Sequence, residues 1–284
     1  MTPILLGCLS AVLFGAMTVL VRIPLARGIS PIAGTLFTIV PACAVTALVM
    51  VAHGAEGDLA SAWPFVFAGL LAPGAAQILF SFAVRDAGAS RTSVTVGTAP
   101  LFAVATALVF LDEPLVAGLV VGAGLIVTGA IVLASDRATP DHFKRIGLVY
   151  ALVGTMAFAS RDTFVRWLVS DATDVDPTTA AFVTMLTGTT AAFVFALATK
   201  TRLTRSAALS FVPAALCYGL SYVFLFEAFA RGRVSVVSPI VATESLWGVT
   251  FSWLVLRESE NVGRKLVAGA ILVVAGGVLI GLYR

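Results

Sequence analysis

The sequence predicts an all-α polytopic membrane protein of ten transmembrane helices, arranged as two inverted five-helix repeats. Three observations predict it. First, 59% of the 284 residues are hydrophobic and only 12% charged, with a mean hydropathy of +1.02. A soluble domain carries about 25% charged residues, so this chain cannot cover its surface with polar groups, and a bilayer is its natural solvent. Second, apolar stretches near the ~20 residues that a hydrocarbon core demands recur between charged or Pro/Gly-marked breaks. Third, residues 85–113 align with 230–258 at a constant offset of 145, which places Ser93 on Ser238, Thr98 on Thr243 and Glu113 on Glu258.

The expected spans run over about 3–22, 31–52, 63–84, 91–111, 114–134, 146–169, 177–199, 207–229, 234–256 and 262–282. The first lacks a basic leader and a small-residue cleavage site, so it is expected to be a retained span. Its last residue, Arg22, matches Arg166 of the sixth at an offset of 144. Ser30-Pro31 opens the second span and Asp176-Pro177 the seventh, an offset of 146. The third and eighth share Gly74 and Gly219. Pro73, Pro100, Pro213 and Pro239 interrupt spans three, four, eight and nine. Each frees a carbonyl and permits a kink, so all four are candidate hinges, with a static bend as the alternative. The fifth and tenth, GLVVGAGLIVTGAIVL at 118–133 and KLVAGAILVVAGGVLI at 265–280, are rich in glycine; Gly118/Gly122 and Gly277/Gly281 have the spacing of close helix contacts. The polar stretch 135–145 links a first repeat, 1–134, to a second, 146–284. Five spans per unit oblige the second copy to enter the membrane from the opposite face, so the repeats are inverted.

FLDEPL at 110–115, its echo VLRESE at 255–260 and the glycine-rich span after each give the chain a family likeness. With the five-plus-five duplication, it resembles the EamA-type carriers of the drug/metabolite transporter superfamily over essentially its whole length. Within that superfamily it is similar to the YddG-type bacterial exporters of aromatic amino acids. The resemblance implies a basket of helices with spans one, three, four, six, eight and nine around a cavity, and five and ten outside. It also implies a multi-pass protein of a bacterial-type inner membrane. The expected function is a secondary transporter exporting small metabolites, amino acids including aromatic ones, by alternating access. A multidrug or sugar-type carrier is the alternative, and an intramembrane enzyme the distant one. No GxxxxGK[ST] motif is present, so energy is expected from gradients. An enzyme would need a catalytic constellation at depth, but His53 and His142 fall in loops. A channel would more naturally show a repeated filter loop.

Ionisable groups at membrane depth are costly and mark functional sites by default. Arg161, Asp162, Glu227 and Glu244 qualify. Asp162 and Arg166, four apart, share a helix face and are expected to form a structural ion pair; Glu227 and Arg231 have the same spacing. Glu244 has no basic residue three or four positions away, so its partner must come from another helix, water, substrate or a proton. It is the candidate for proton coupling or for binding a substrate ammonium. Arg161 can fork onto a carboxylate, and the two together would hold a zwitterion. Tyr218, Tyr222 and Trp247 offer flat apolar faces with a polar tip. Gln77 is the repeat mate of Tyr222, Ser81 follows four later, and Thr98 shares a face of span four with Thr95 and Phe102. The expected substrate set is therefore Gln77, Ser81, Thr98, Arg161, Tyr218, Tyr222, Glu244 and Trp247. Met17 and Thr18 align with Arg161 and Asp162, and Ala99 with Glu244. There the copies part.

No cofactor or metal is expected: Cys8, Cys43 and Cys217 lie apart in apolar segments, and two histidines are too few for a cluster. The net charge of +3 comes from loop arginines without interleaved aromatics, which argues against nucleic acid. The expected partners are a small-molecule substrate, the bilayer and, through Glu244, a proton, in a monomer or weak homodimer. Lys and Arg gather in the odd-numbered loops. The positive-inside rule therefore places both termini outside, whereas the family resemblance places them in the cytoplasm.

Overall fold

The structure, a computed structural model, describes residues 2–55, 59–102, 117–134, 143–169, 173–232, 237, 240–256 and 263–283. Pro239, Ser238, Glu113, Glu258, the 110–115 motif and linker residues 135–142 lie outside the described residues. The helices are α1 Pro3–Ala26, α2 Pro31–Ala52, α3 Phe65–Gly69, α4 Ala76–Ala87, α5 Ala89–Val96 and α6 Ala117–Ala134. They continue as α7 Arg145–Trp167, α8 Pro177–Ala198, α9 Arg205–Arg231, α10 Glu244–Val255 and α11 Arg264–Tyr283. A π-helical turn, Leu70–Ala75, joins α3 to α4. The described residues contain no strand. Among the described residues, six helical stretches are long and apolar enough to cross a membrane: Pro3–Ala26, Pro31–Ala52, Phe65–Ala87, Pro177–Ala198, Arg205–Arg231 and Arg264–Tyr283.

Helix starts and breaks follow local chemistry. α2 and α8 both begin on proline, whose fixed φ and missing N–H suit the first helical position. The third stretch is broken at Ala72 (φ −150°, ψ 124°), beside Pro73. The fourth pauses in a turn at Gly97 and Thr98 and resumes at Ala99. In the ninth, a turn at Thr243 precedes α10. Since 98 + 145 = 243, the two turns are repeat equivalents. α9, by contrast, runs through Pro213 as one helix of 27 residues. Threonines inside the helices bond back to their own carbonyls, as Thr18 does to Phe14 at 3.0 Å and Thr155 to Ala151 at 2.7 Å, which satisfies their hydroxyls without water.

Packing between elements comes in matched pairs. α1 lies on α9 as α4 lies on α7; α2 lies on α9 as α3 and the π turn lie on α8; α1 meets α10 as α7 meets α5. α2 with α8, α5 with α10 and α6 with α11 are contacts between equivalent elements. The matching extends to atoms. Arg22 Nη1 donates to the Arg85 carbonyl at 3.2 Å, and Arg166 Nη1 to the Phe229 carbonyl at 2.5 Å. A Cβ on Gly147 would stand 2.6 Å from Ala87 N, and one on Gly232 2.6 Å from Pro3 Cβ. A Cβ on Gly276 would reach within 2.5 Å of the Gly122 carbonyl oxygen, and one on Gly129 within 2.7 Å of that of Gly269. Along α6 and α11 the contacts therefore rise in one number as they fall in the other, so the two helices are antiparallel. The main buried cluster, with Phe14, Ile39, Phe65, Phe211 and Phe226, sits at the centre, while Leu48, Ile131, Leu209 and Leu282 are among the large apolar side chains turned outward.

Candidate functional site

A cavity of about 80 Å³ lies between α1, α4, α5, α7, α9 and α10. Phe14, Phe80, Phe158, Leu225 and Phe229 give it an apolar wall; Thr18, Ser93, Arg161, Asp162, Tyr218 and Glu244 supply polar groups.

Arg161 is only 2% exposed. Its Nε stands 3.2 Å from Asp162 Oδ1, close enough for strong attraction. The two are chain neighbours, however, and the pair is misaligned for a hydrogen bond; Arg161 Nε and Nη1 and Asp162 Oδ1 are all buried without one. The guanidinium also lies over the Tyr222 ring at 4.7 Å, with Phe158 at 5.9 Å and Phe226 at 6.0 Å. Aromatic faces of this kind attract a cation by ≈ 0.5–2 kcal/mol, more when water is excluded. Tyr222 in turn meets Tyr218 edge-on, centroids 5.0 Å apart. Glu244 opens α10 and lines the same cavity. Among the described residues its carboxylate has no ion pair or hydrogen bond. It interacts through space with both Arg161 and Asp162.

Of the eight residues expected to bind substrate, Arg161, Tyr218 and Glu244 line the cavity, and Tyr222 backs Arg161. The other four do not. Ser81 Oγ accepts from Thr35 Oγ1 at 2.8 Å, and the same hydroxyl approaches the Gln77 carbonyl at 3.4 Å, so Gln77 and Ser81 belong to the seam of α2 and α4. Thr98 Oγ1 donates to the Thr95 carbonyl at 2.6 Å and serves the turn. Trp247 is 39% exposed and stacks on Phe251 at 5.8 Å. α10 approaches α1 so closely at Gly15 that a Cβ there would stand 2.6 Å from Trp247 Cβ and 2.8 Å from Gly248 N. The acids sort differently from one another. Asp162 is recorded beside Arg161, while Arg166 reaches the Phe229 carbonyl; Glu227 pairs with Arg231 at 2.5 Å, four residues on. Of the candidate hinges, Pro100 borders the cavity, and Pro73 packs against Gly188 of α8.

The cavity also contains residues that sequence reasoning left out of the site. Phe14 and Phe158 are repeat mates, as are Phe80 and Leu225, but apolar on both sides they and Phe229 look like ordinary packing residues. Met17, Thr18 and Ala99 did carry a signal. They are the repeat mates of Arg161, Asp162 and Glu244 (17 + 144, 18 + 144 and 99 + 145), and all six line the one cavity.

A family model, the EamA-like transporter family, matches residues 1–135 and 145–282. One solved structure, described as "Crystal structure of protein", is similar with a TM-score of 0.72 over 99% of this chain and 96% of that chain, at 17% identity. That likeness shows the fold. No curated protein matches.

Proposed function

The chain belongs to the EamA-like transporter family, a family of membrane transporters of small substrates, and from that premise we propose that it exports small metabolites across a bacterial-type inner membrane, amino acids including aromatic ones among them. Residues 1–134 and 146–284 form two inverted five-helix repeats, ten spans in all, and the cavity between them is the substrate site. Alternating access follows from such a pairing, because each repeat supplies an equivalent gate on its own side.

One observation carries this reading: repeat mates from the two halves converge on one cavity, Met17, Thr18 and Ala99 among those from the first half and Arg161, Asp162 and Glu244 among those from the second. The antiparallel register of α6 and α11 supports the inversion. At about 80 Å³, the cavity has room for several waters, at ~10–15 Å³ each.

Purified protein in liposomes, given a panel of amino acids, a lipophilic cation and a sugar, tests the proposal. Saturable uptake of amino acids that protein-free liposomes lack is expected. Uptake of the sugar alone would replace this reading with the sugar-carrier one. No uptake of any panel member would remove it.

A further inference from the structure

A second pocket, of about 500 Å³, shares no residue with the central cavity and lies at the joint of the α1–α2 and α8–α9 connections. Ile29, Ile32 and Phe37 give it an apolar side; Ser30, Thr204 and Arg202 give it a polar one. Arg27, Lys200 and Arg205 are chain neighbours of its lining residues. All four cationic residues are exposed, and among the described residues their side chains make no ion pair or hydrogen bond. No carboxylate among the described residues lines the pocket.

The other half of the chain contains the same joint in closed form. At an offset of 146, the C-caps His53 and Thr199 are mates, as are Gly54 and Lys200, both at positive φ (66° and 50°). Ala55 N bonds the Met50 carbonyl as Thr201 N bonds that of Ala196. The backbone therefore turns alike in both places, but the side chains differ. Asp174, Asp176 and Glu56, the last outside the described residues, stand where this joint has Gly28, Ser30 and Arg202. Asp176 Oδ1 accepts from Thr178 N at 2.8 Å, whereas Ser30 makes no side-chain cap bond. Thr179 Oγ1 donates to the Ala55 carbonyl at 2.8 Å, which ties α8 to the connection after α2. Its mate is Ala33, with no hydroxyl to offer the Thr201 carbonyl. One joint carries its own anion and its own tie; the other has neither and is ringed by cations.

An anion lying across the two connections would complete the open joint. α1 and α8 end there and α2 and α9 begin, which is the level of lipid headgroups, and juxtamembrane cations attract anionic ones. The apolar side of the pocket suits the first carbons of an acyl chain rather than a free ion. Cations without a carboxylate beside them favour a headgroup whose phosphate is its sole charge over one that carries an ammonium as well. We infer, resting on the carrier reading only for the presence of a bilayer, that this pocket seats the headgroup of one such phospholipid. The lipid bridges the α1–α2 and α8–α9 connections as Thr179 bridges the mated pair.

The test titrates the full chain, stripped of lipid in detergent, with phosphatidylglycerol, zwitterionic phosphatidylcholine and inorganic phosphate. Native mass spectrometry counts bound lipid, and thermal unfolding is followed in parallel. The expected result is one tightly held phosphatidylglycerol per chain, in preference to phosphatidylcholine, with a raised unfolding temperature. Lys200→Gln with Arg202→Gln weakens binding about thirtyfold, at about fivefold per cation. Arg264→Gln with Lys265→Gln removes equal charge from the start of α11 and leaves binding unchanged. Thr179→Ala lowers the unfolding temperature yet keeps the rise that the lipid gives. Both double variants are judged on preparations that elute as the wild type does, and the lipid preference of the wild type needs no variant. Equal loss in the two double variants, equal binding of phosphatidylcholine, or displacement of the lipid by inorganic phosphate at matched concentration would overturn the inference. Each of these leaves the carrier reading standing, since uptake by the liposome panel tests that separately.

Discussion

Arg161 and Glu244 show how a single charge is read from an apolar sequence. Either would be expensive in hydrocarbon, so its presence at depth demands a reason, and both line the cavity. Trp247 gave no such signal, because an indole is equally at home against lipid or cargo. Ser81 differs again: a hydroxyl that bonds a neighbouring helix, as Ser81 does Thr35, is written no differently from one that meets substrate. These roles lead to separable outcomes. Ser81→Ala should cost about 1 kcal/mol in detergent unfolding and leave transport intact. Arg161→Ala strands Asp162 without its neighbour and should cost about 3–5 kcal/mol. Arg161→Lys should recover little of that, since an ammonium cannot lie flat on Tyr222. Asp162→Asn should mainly lower stability, whereas Glu244→Gln should abolish transport or flatten its pH profile. Wild-type export by Glu244→Gln vesicles across a range of about pH 5.5–8, spanning the unperturbed carboxylate and imidazole values, would remove Glu244 from the mechanism.

At the scale of elements, the apolar runs and the prolines at helix starts were legible, because length and N1 chemistry act locally. Breaks within runs were less so. Proline marks where a helix can bend but not whether its neighbours require it: the third stretch leaves helical geometry beside Pro73, while α9 carries Pro213 as one helix. The turn at Gly97 and Thr98 stands just before Pro100, whose missing N–H cannot bond the Val96 carbonyl, and it and its mate at Thr243 lie where α5 and α10 meet. There, a Cβ on Gly97 would stand 2.8 Å from Ser245 Cβ. Pro213→Ala should therefore keep transport and raise unfolding stability by up to about 3 kcal/mol, the cost of an interior proline. Gly276→Ala should act in the other direction. Its new Cβ would meet the Gly122 carbonyl oxygen at 2.5 Å, and overpacking of that kind costs about 1–3 kcal/mol. A thermal unfolding series in one detergent measures both.

For the molecule as a whole, the offset near 145 was the most informative reading, because duplication constrains many contacts at once. The sequence could not say which of the mated positions would face the cavity; that depends on helix rotation, which packing decides. Inverted repeats also make a topological prediction. In a protein freed of Cys8, Cys43 and Cys217, cysteines placed at Ala55 and Arg284 should label from one face of the membrane, and those at Lys144 and Lys200 from the other. Labelling of all four from one face would overturn the inversion. The two arginine–carbonyl bonds bear on how such a chain is made. Each closes within its own half, Arg22 to Arg85 and Arg166 to Phe229, both across 63 residues. The first can form while the second half is still unsynthesised. α1 cannot finish so early, since the carbonyl that Ser10 bonds belongs to Ser221, 211 residues on. An emerging first half thus acquires its internal clamp at once and waits for α9 to seal its face. The halves, made as separate polypeptides, should assemble only when both are present.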